Sequence, residues 1–456
     1  MFTLLLLGCT PQPPGPPAGP TLRERFGEHA FLTPRDAPAT VALVSGGTID
    51  TRASTCGACH VDHQHEWAQT THAAAMRDLQ FFAELAKPDQ PVWLCLNCHA
   101  PTAPHRAEII TLDTRLATPG SITALVTTPN PGFDPVRVAE GVTCATCHVQ
   151  RDADGEGVVI GPRGSGRAPH RVRADKAALD GICVSCHSPG EIILTETFPC
   201  WFKTADELAA GPSRDQTCVG CHMPTTTRPA ATGGGELDLL RHTWTGGGVP
   251  KTVTDYTTLT ERGWRAGVDV VVTTDPLTVT LTNARAGHSL PTGDPERFLR
   301  VEARLESAGA TVGRDVLRLG QTWDWGDAAA HRPAHRLADE RLAPGGTRTW
   351  APKLPEAPAE RLVVEVMNVR LTVENARALA RTSLGPQLLT LWPEAGGLLP
   401  RLDQLYPLAT FVWRGSRTLP DGVLEVADPS ALLVESAAFN TLPLDERAGR
   451  LDVPLE

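Results

Sequence analysis

One short pattern of residues, Cys-x-x-Cys-His, occurs five times in this chain of 456 residues. We number the copies motifs 1 to 5 in chain order. Their residues are Cys56, Cys59 and His60; Cys95, Cys98 and His99; Cys144, Cys147 and His148; Cys183, Cys186 and His187; and Cys218, Cys221 and His222. Given 12 Cys and 15 His in the whole chain, chance would produce roughly 0.01 copies. The repetition therefore reflects one chemical requirement met five times.

The spacing of the three side chains is typical of covalent haem attachment. On a helical turn, residues i, i+3 and i+4 share one face. The two thiols can then form thioethers with the vinyl groups of one haem, and the His lies under the iron as its proximal ligand. Zinc sites do not require a His directly after each Cys pair, iron–sulfur clusters need four Cys each, and disulfides need no uniform gap. The sequence thus predicts five covalently bound haem c groups with their iron.

The second axial position of each iron calls for further ligands, and histidines outnumber methionines in the chain. The internal methionines are only Met76, Met223 and Met367, whereas ten histidines lie outside the motifs. These numbers favour bis-His ligation. Because Met ligation raises the potential of a haem, they also predict low-potential haems.

Sequence spacing limits which histidine can serve which haem. His72 follows His60 by 12 residues, which on one helix is about 18 Å of rise. At that distance it cannot bind the second face of the haem that His60 ligates, and it is expected to serve another haem. His105 follows His99 by six residues, a loop too short to pass around a porphyrin, so this candidate also is expected to reach a neighbouring haem. His63 is expected at the surface or beside a propionate.

The N-terminus indicates export. In bacteria, haem is attached to such motifs outside the cytoplasm, and residues 1–9 resemble a lipoprotein-type signal that ends in Cys9. Cleavage before Cys9 would leave a lipidated residue, and residues 10–44 would form a Pro-rich tether and linker. The segment has no Lys or Arg before its apolar run, so a plain cleaved signal or an uncleaved anchor is the alternative. The expected location is the periplasm or cell envelope, with lipid anchorage to a membrane.

The chain divides into two regions of different pattern. The motifs are too close together for five separate domains, so residues 45–261 are predicted to be one pentahaem domain of helices and loops, with helices over 66–86 and 203–210. From residue 262 to 456, apolar and polar residues alternate, as in 277–281, 299–305 and 369–373. Alternation predicts strands, and the expected fold class is α + β multidomain, with an antiparallel β-sandwich-like domain after the haem domain.

Several motifs, taken together, resemble the multihaem c-type cytochromes of the cytochrome c-552/c-554 type. The resemblance covers about residues 50 to 300. The segments that carry it are Cys56 to His60 with Trp67 and His72, Cys95 to Pro101, Gly141 to Cys144, Cys218 to Pro224, Arg241 to Trp244, and Gly287 to Gly293. The resemblance implies that His72, His170, His242 and His288 are distal iron ligands. His105 is a weaker fifth candidate.

Two functions are compatible with this resemblance. The first is an electron carrier whose partners are other redox proteins or a membrane electron donor. The alternative is a haem enzyme of the nitrite reductase or hydroxylamine oxidoreductase class with one open iron. The resemblance implies that the nitrite reductases carry Lys in place of His in one motif, whereas all five motifs here end in His. It implies that the hydroxylamine oxidoreductases carry a Tyr cross-linked to a haem, whereas Tyr256 and Tyr406 both follow motif 5. A third interpretation has the β-domain bind a partner while the haems sense redox state. The net charge of −10 argues against nucleic-acid binding.

Overall fold

The structure is a computed structural model. It describes residues 35–87, 92–112, 125–164, 166–188, 190–195, 198–259, 261–262, 264–326, 332 and 334–451. The predicted signal, Cys9 and most of the predicted linker lie outside these residues. Within the described ranges, no helix is both long enough and apolar enough to cross a membrane.

Short helices dominate the first half of the described chain and return near its end. The α-helices are α1 Ala53–Gly57, α2 Val61–Ala68, α3 Leu79–Leu85, α4 Val92–His99, α5 Pro135–Val138, α6 Cys144–His148, α7 Lys176–Gly181, α8 Val184–His187, α9 Thr204–Ala210, α10 Cys218–His222, α11 Tyr256–Leu259, α12 Val373–Ala380, α13 Pro386–Leu391, α14 Ala395–Leu398, α15 Leu402–Leu405, α16 Pro429–Asn440 and α17 Leu444–Leu451. Three 3-10 turns cover Ala103–His105, Val253–Asp255 and Leu399–Arg401.

Strands form small hairpins beside the motifs and larger sheets after residue 267. They are β1 Thr40–Ala42, β2 Thr48–Asp50, β3 Glu108–Leu112, β4 Leu125–Pro129, β5 Val149–Arg151, β6 Gly157–Gly161, β7 Val172–Ala174, β8 Gly190–Thr195, β9 Phe198–Phe202, β10 Thr225–Pro229, β11 Glu236–Leu240, β12 Val268–Thr274, β13 Leu277–Asn283, β14 Phe298–Ser307, β15 Ala310–Asp324, β16 His335–Asp339, β17 Thr347–Trp350, β18 Arg361–Val369, β19 Ala409–Thr418 and β20 Glu425–Val426.

The helical turns that carry the motifs have the spacing the sequence predicts. Motifs 2, 3 and 5 lie inside α4, α6 and α10. In motif 4 the backbone N–H of His187 donates to the carbonyl of Cys183 at 2.9 Å, and His60 repeats this bond with Cys56. Thr217 begins α10 by accepting from the N–H of Gly220 at 3.0 Å, which satisfies a free donor of the first turn. Each motif therefore presents its three side chains from one turn.

The continuous helix predicted over 66–86 is wrong. The structure has two helices there, α2 and α3, joined by a turn that contains His72. The hydroxyl of Thr70 donates to the carbonyl of Trp67 at 2.7 Å, a local bond that competes with helix continuation. Asp78 then starts α3 by accepting from the N–H of Phe81. The helix predicted over 203–210 is confirmed as α9.

The predicted linker extends too far along the chain. Residues 35–44 include β1, which pairs with β2. Ala37 and Val41 are buried against Ala145 and Val149, beside motif 3. Burial of apolar side chains lowers the free energy of the folded state, so this segment packs on the motif-bearing region instead of acting as a free linker.

Two antiparallel sheets share a core after residue 267. One has the order β12-β13-β17 and the other β16-β15-β14-β18-β19-β20. Leu281 of β13 packs in the same buried cluster as Val301 of β14 and Val364 of β18. Strands predicted over 277–281 and 299–305 are confirmed as parts of β13 and β14. The described chain is thus mixed α and β, with several antiparallel sheets.

Helices cover the opposite face of the larger sheet. Phe298 of β14 and Phe411 of β19 lie in one buried cluster with Leu402 of α15 and Phe439 of α16. The strand predicted over 369–373 is wrong, because β18 ends at residue 369 and α12 starts immediately after its N-cap, Thr372. The C-terminal region predicted to be β-rich therefore carries α12 to α17 as well.

Apolar side chains from both sides of the predicted boundary at residue 262 pack in one buried cluster. Leu79 and Ala83 of α3 lie in the same cluster as Met367 of β18 and Leu379 of α12. The phenol of Tyr406 also donates to the carboxylate of Asp78 at 3.1 Å. The region that carries the motifs and the region that carries the large sheet are therefore packed together.

Glu365 holds a buried charge network on the helix-covered face of the larger sheet. Its side chain is 1% exposed and accepts from Arg414 at 2.8 Å and from Arg450 at 2.7 Å. Arg414 also pairs with Glu435, whose side chain is 47% exposed. The same cation thus has one buried and one solvated partner.

Glu365→Ala is expected to lower the free energy of unfolding by about 1–3 kcal/mol, because it removes the buried acceptor of the charge-assisted hydrogen bonds from Arg414 and Arg450. Glu435→Ala is the matched control and is expected to cost at most about 1 kcal/mol, since exposed ion pairs contribute little. Denaturant titrations of the holoprotein followed by far-UV circular dichroism measure both. Equal losses of unfolding free energy in the two variants would show that burial of Glu365 adds nothing to its contribution.

Candidate haem-binding site

Four of the five motif histidines face a second histidine across a short gap. An imidazole nitrogen lies about 2 Å from a metal that it ligates, and the ring centre lies roughly 1 Å further, so two rings that share one metal have centres about 6 Å apart. The measured distances between ring centres are 6.4 Å for His60 and His170, 6.1 Å for His187 and His72, 6.0 Å for His148 and His242, and 6.2 Å for His222 and His288. Each pair thus has the separation that one iron requires.

These four pairs join the motifs to the histidines that the resemblance implies as distal ligands. His72, predicted to serve a haem other than that of motif 1, faces motif 4. His288 reaches motif 5 from the loop between β13 and β14. The large-sheet region therefore contributes directly to a motif.

Hydrogen bonds to the second ring nitrogen fix the orientation of most of these imidazoles. Ligating histidines usually donate this N–H to a carbonyl, which leaves Nε2 free for the metal. The Nδ1–oxygen distances are 2.7 Å for His60 to Ala230, 3.0 Å for His99 to Ala75, 2.9 Å for His148 to Ile160, 2.9 Å for His222 to Thr245, 3.0 Å for His242 to Leu240 and 3.1 Å for His288 to Ser289. The backbone thus selects the tautomer that can bind iron.

Burial keeps the imidazoles neutral. It lowers the pKa of His72 to about 3 and that of His99 to about 4. His187 and His242 are lowered in the same way, to pKa values of about 4 and about 3. Because metal ligation requires the neutral ring, these sites need no proton release at neutral pH before they bind.

Motif 2 departs from the pattern. The ring of Phe81 stacks on His99 with 3.6 Å between centres and 6° between planes. Among the residues that the structure describes, no second histidine ring contacts His99. One motif histidine therefore has an aromatic neighbour where the others have a facing imidazole.

His105 does not approach a motif histidine in the described part of the chain. It is 3% exposed and ends a 3-10 turn. The backbone N–H of His105 donates to the carbonyl of Thr102 at 3.1 Å. Burial, with Arg137 and Arg106 nearby, lowers its pKa to about 4. The loop forms its own 3-10 turn, and the expectation that it carries His105 to a neighbouring haem stays a prediction.

The motifs lie in one connected cluster. The thiol of Cys56 interacts with that of Cys144, Cys98 with Cys186, and Cys183 with Cys218, while Cys186 acts electrostatically on Cys147. Motif 1 therefore adjoins motif 3, motif 3 adjoins motif 4, and motif 4 adjoins both motif 2 and motif 5. Such contacts agree with the expectation that closely spaced motifs surround haems that contact one another.

Aromatic and imidazole rings fill the spaces between neighbouring histidine pairs. The ring of Trp244 lies 5.0 Å from His72 and 5.0 Å from His242, which belong to the pairs of motifs 4 and 3. His63 lies 6.1 Å from His60 and 4.9 Å from His242. The sequence predicts His63 at the surface or beside a propionate, and Trp244 is part of a segment that carries the resemblance; the structure places both rings between histidine pairs.

Arginines beside the motifs fit the acidic edge of a haem. Arg297 is half-buried and acts electrostatically on His187, yet its Nε has no hydrogen-bond partner among the described residues. Arg106 lies beside Cys95 and Cys98, and its Nε is likewise unpaired. A buried guanidinium needs an anion, and haem propionates would supply one. The residues of the cluster therefore fit the group that the motifs imply.

Comparisons with known proteins agree with this site. The family model for cytochrome c554 and c-prime matches residues 55–118, which contain motifs 1 and 2. The fold is similar to that of a penta-heme cytochrome c552 from Thermochromatium tepidum, with a TM-score of 0.50 and 18% identity over 81% of this chain and 98% of that chain. No curated protein sequence matches the chain.

The motifs and the two matches together support a multihaem c-type cytochrome of the c552/c554 type. They support covalently bound haem c and iron as its cofactors and haem-based electron transfer as its general role. The fold match shows the architecture, and the family match is confined to the first two motifs.

Two buried histidines provide a matched test of the site. His72→Ala is expected to convert one low-spin haem to high spin, because the iron of motif 4 loses the imidazole that faces His187. His105→Ala is the control and is expected to leave every spin state unchanged, since among the described residues its ring contacts no motif histidine. Electron paramagnetic resonance of the oxidised holoprotein measures both. A new high-spin signal in the His105 variant alone would reverse the assignment.

Proposed function

We propose that this protein is a pentahaem electron carrier in which four irons are each held between two histidines. The observation that supports the proposal most strongly is the set of four ring pairs, 6.0 to 6.4 Å apart. Each haem would supply one-electron chemistry. Paired histidines would hold four of the irons, and the chain buries these imidazoles and brings neighbouring motifs into contact.

Bis-His ligation favours transport over catalysis at four of the sites. An iron with two imidazole ligands has no open position for a substrate. Histidine ligands without Met also favour low potentials, because Met ligation raises them. We therefore propose four low-potential centres that exchange electrons without binding a substrate.

One observation favours the alternative, a haem enzyme of the nitrite reductase or hydroxylamine oxidoreductase class. His99 of motif 2 packs on Phe81, and among the described residues it is the motif histidine that no second imidazole faces, which makes its iron a candidate for an open position. Against this, both tyrosines are engaged elsewhere. The hydroxyl of Tyr256 donates to the carbonyl of Ala409 at 2.6 Å, and that of Tyr406 donates to Asp78.

We place this carrier outside the cytoplasm, because haem attachment in bacteria takes place there. Lipidation of Cys9 would anchor it to a membrane, and its partners would be other redox proteins or a membrane electron donor. The net charge of −10, made more negative by haem propionates, favours basic redox partners and disfavours nucleic acid.

Spectroscopy and potentiometry of the oxidised holoprotein test the carrier proposal. We expect four low-spin haems with negative potentials and one haem, that of motif 2, with high-spin character. Five high positive potentials, or several high-spin haems, would contradict bis-His ligation.

Activity assays separate the carrier from the enzyme. With the reduced protein and nitrite, or the oxidised protein and hydroxylamine, we expect no multiple turnover. Sustained turnover that is lost when carbon monoxide occupies the high-spin iron would instead establish the enzyme alternative at motif 2.

A further inference from the structure

The buried carboxylate of Glu66 contacts the backbone of His242, the histidine that faces motif 3. Glu66, on α2, is 7% exposed. Its carboxylate accepts from the two terminal nitrogens of Arg228 at 2.8 and 2.7 Å and from Nε of Arg241 at 2.9 Å. It also accepts from the backbone N–H of His242 at 2.7 Å. One side chain thus joins α2, β10 and the segment that carries His242.

This carboxylate is held by charge-assisted hydrogen bonds. Two guanidinium groups and one backbone N–H donate to its oxygens at 2.7 to 2.9 Å. Charge-assisted bonds of this kind are shorter and stronger than neutral ones.

A second carboxylate has the same relation to the pair of motif 5. Glu207, on α9, accepts from the backbone N–H of Ser289 at 3.1 Å and from the hydroxyl of Thr292 at 2.8 Å. Arg341 donates to its other oxygen at 2.8 Å, and both side chains of this ion pair are nearly buried. Ser289 follows His288 directly, and its carbonyl accepts from Nδ1 of His288.

The two arrangements share one design. In each, a carboxylate on a helix of the motif-bearing region accepts a backbone N–H at or next to the second histidine. In each, an arginine from another segment neutralises it. Such a bond restrains the backbone from which the imidazole projects, and therefore the angle and depth at which the ring meets the iron.

We propose that Glu66 and Glu207 are positioning residues that set the orientation of His242 and His288 toward the irons of motifs 3 and 5. The inference rests on the proposed function, because it requires both histidines to be distal ligands. Among the described residues, neither carboxylate hydrogen-bonds to a motif side chain, and each contacts the backbone of the segment that carries the proposed ligand.

Glu66→Gln and Glu207→Gln in the full-length holoprotein test the proposal, and each variant is the control for the other. His242→Ala and His288→Ala first identify the resonance of each haem as the one that becomes high spin. Glu66→Gln is then expected to shift the g-values of the motif 3 haem alone, and Glu207→Gln those of the motif 5 haem alone. Loss of a nearby negative charge should also change the oxidised-to-reduced ratio of that haem about tenfold toward reduced, which is ~59 mV for one electron.

The outcomes separate the two proposals. If His242→Ala and His288→Ala leave all spin states unchanged, these residues are not ligands, and both the proposed ligation and the positioning role are wrong. If they create high-spin haems but the Gln variants leave g-values and potentials unchanged, only the positioning role is overturned. Shifts spread over all five haems would indicate general loosening and would also overturn it.

A milder pair of variants keeps the test valid if a Gln variant does not fold. Arg228→Lys and Arg341→Lys retain the positive charge but lose the planar guanidinium that holds each carboxylate. Each is expected to shift the g-values of the same single haem, by less than the Gln variant would. No shift in either Lys variant would overturn the positioning role.

Discussion

The facing of two imidazole rings at about 6 Å is the constraint on which the rest of this structure depends. In each of four pairs, a motif histidine meets a histidine that is distant in sequence, as His60 meets His170. Short helices such as α1, α6 and α10 bury few side chains of their own. Shared ligation would close the long loops between them, and the entropic cost of closing a loop rises only slowly with its length. This explains how a region of short helices and hairpins can adopt one arrangement.

The region with the large sheets is a structural component of the cluster. It supplies His288 to motif 5, and α3 shares a hydrophobic core with the helices that cover the six-stranded sheet. Buried ion pairs such as that between Glu207 and Arg341 fix the loop of His288 against the motif-bearing region. A rigid attachment of this kind would hold the proposed ligand His288 in place during electron transfer, when a change of ligation would alter the potential.

Local spacing predicts the attachment sites, and the resemblance names four histidines that the structure brings to motif histidines. A one-dimensional pattern does not show where a turn forms. Thr70 bonds its own backbone at the end of a helix that periodicity would continue, and the short loop before His105 forms a 3-10 turn. Glu66 looked like an ordinary helical residue, because its partners, Arg228 and His242, lie far along the chain.

The most direct test of this account is the intact mass of the protein, purified from a host that attaches haem to such motifs, together with its iron content. The account predicts the mass of the processed chain plus five haems, five irons per chain, and a mass that survives denaturation in acid because the thioethers are covalent. A denatured protein with the mass of its polypeptide and lipid alone, without Soret absorbance, would contradict it.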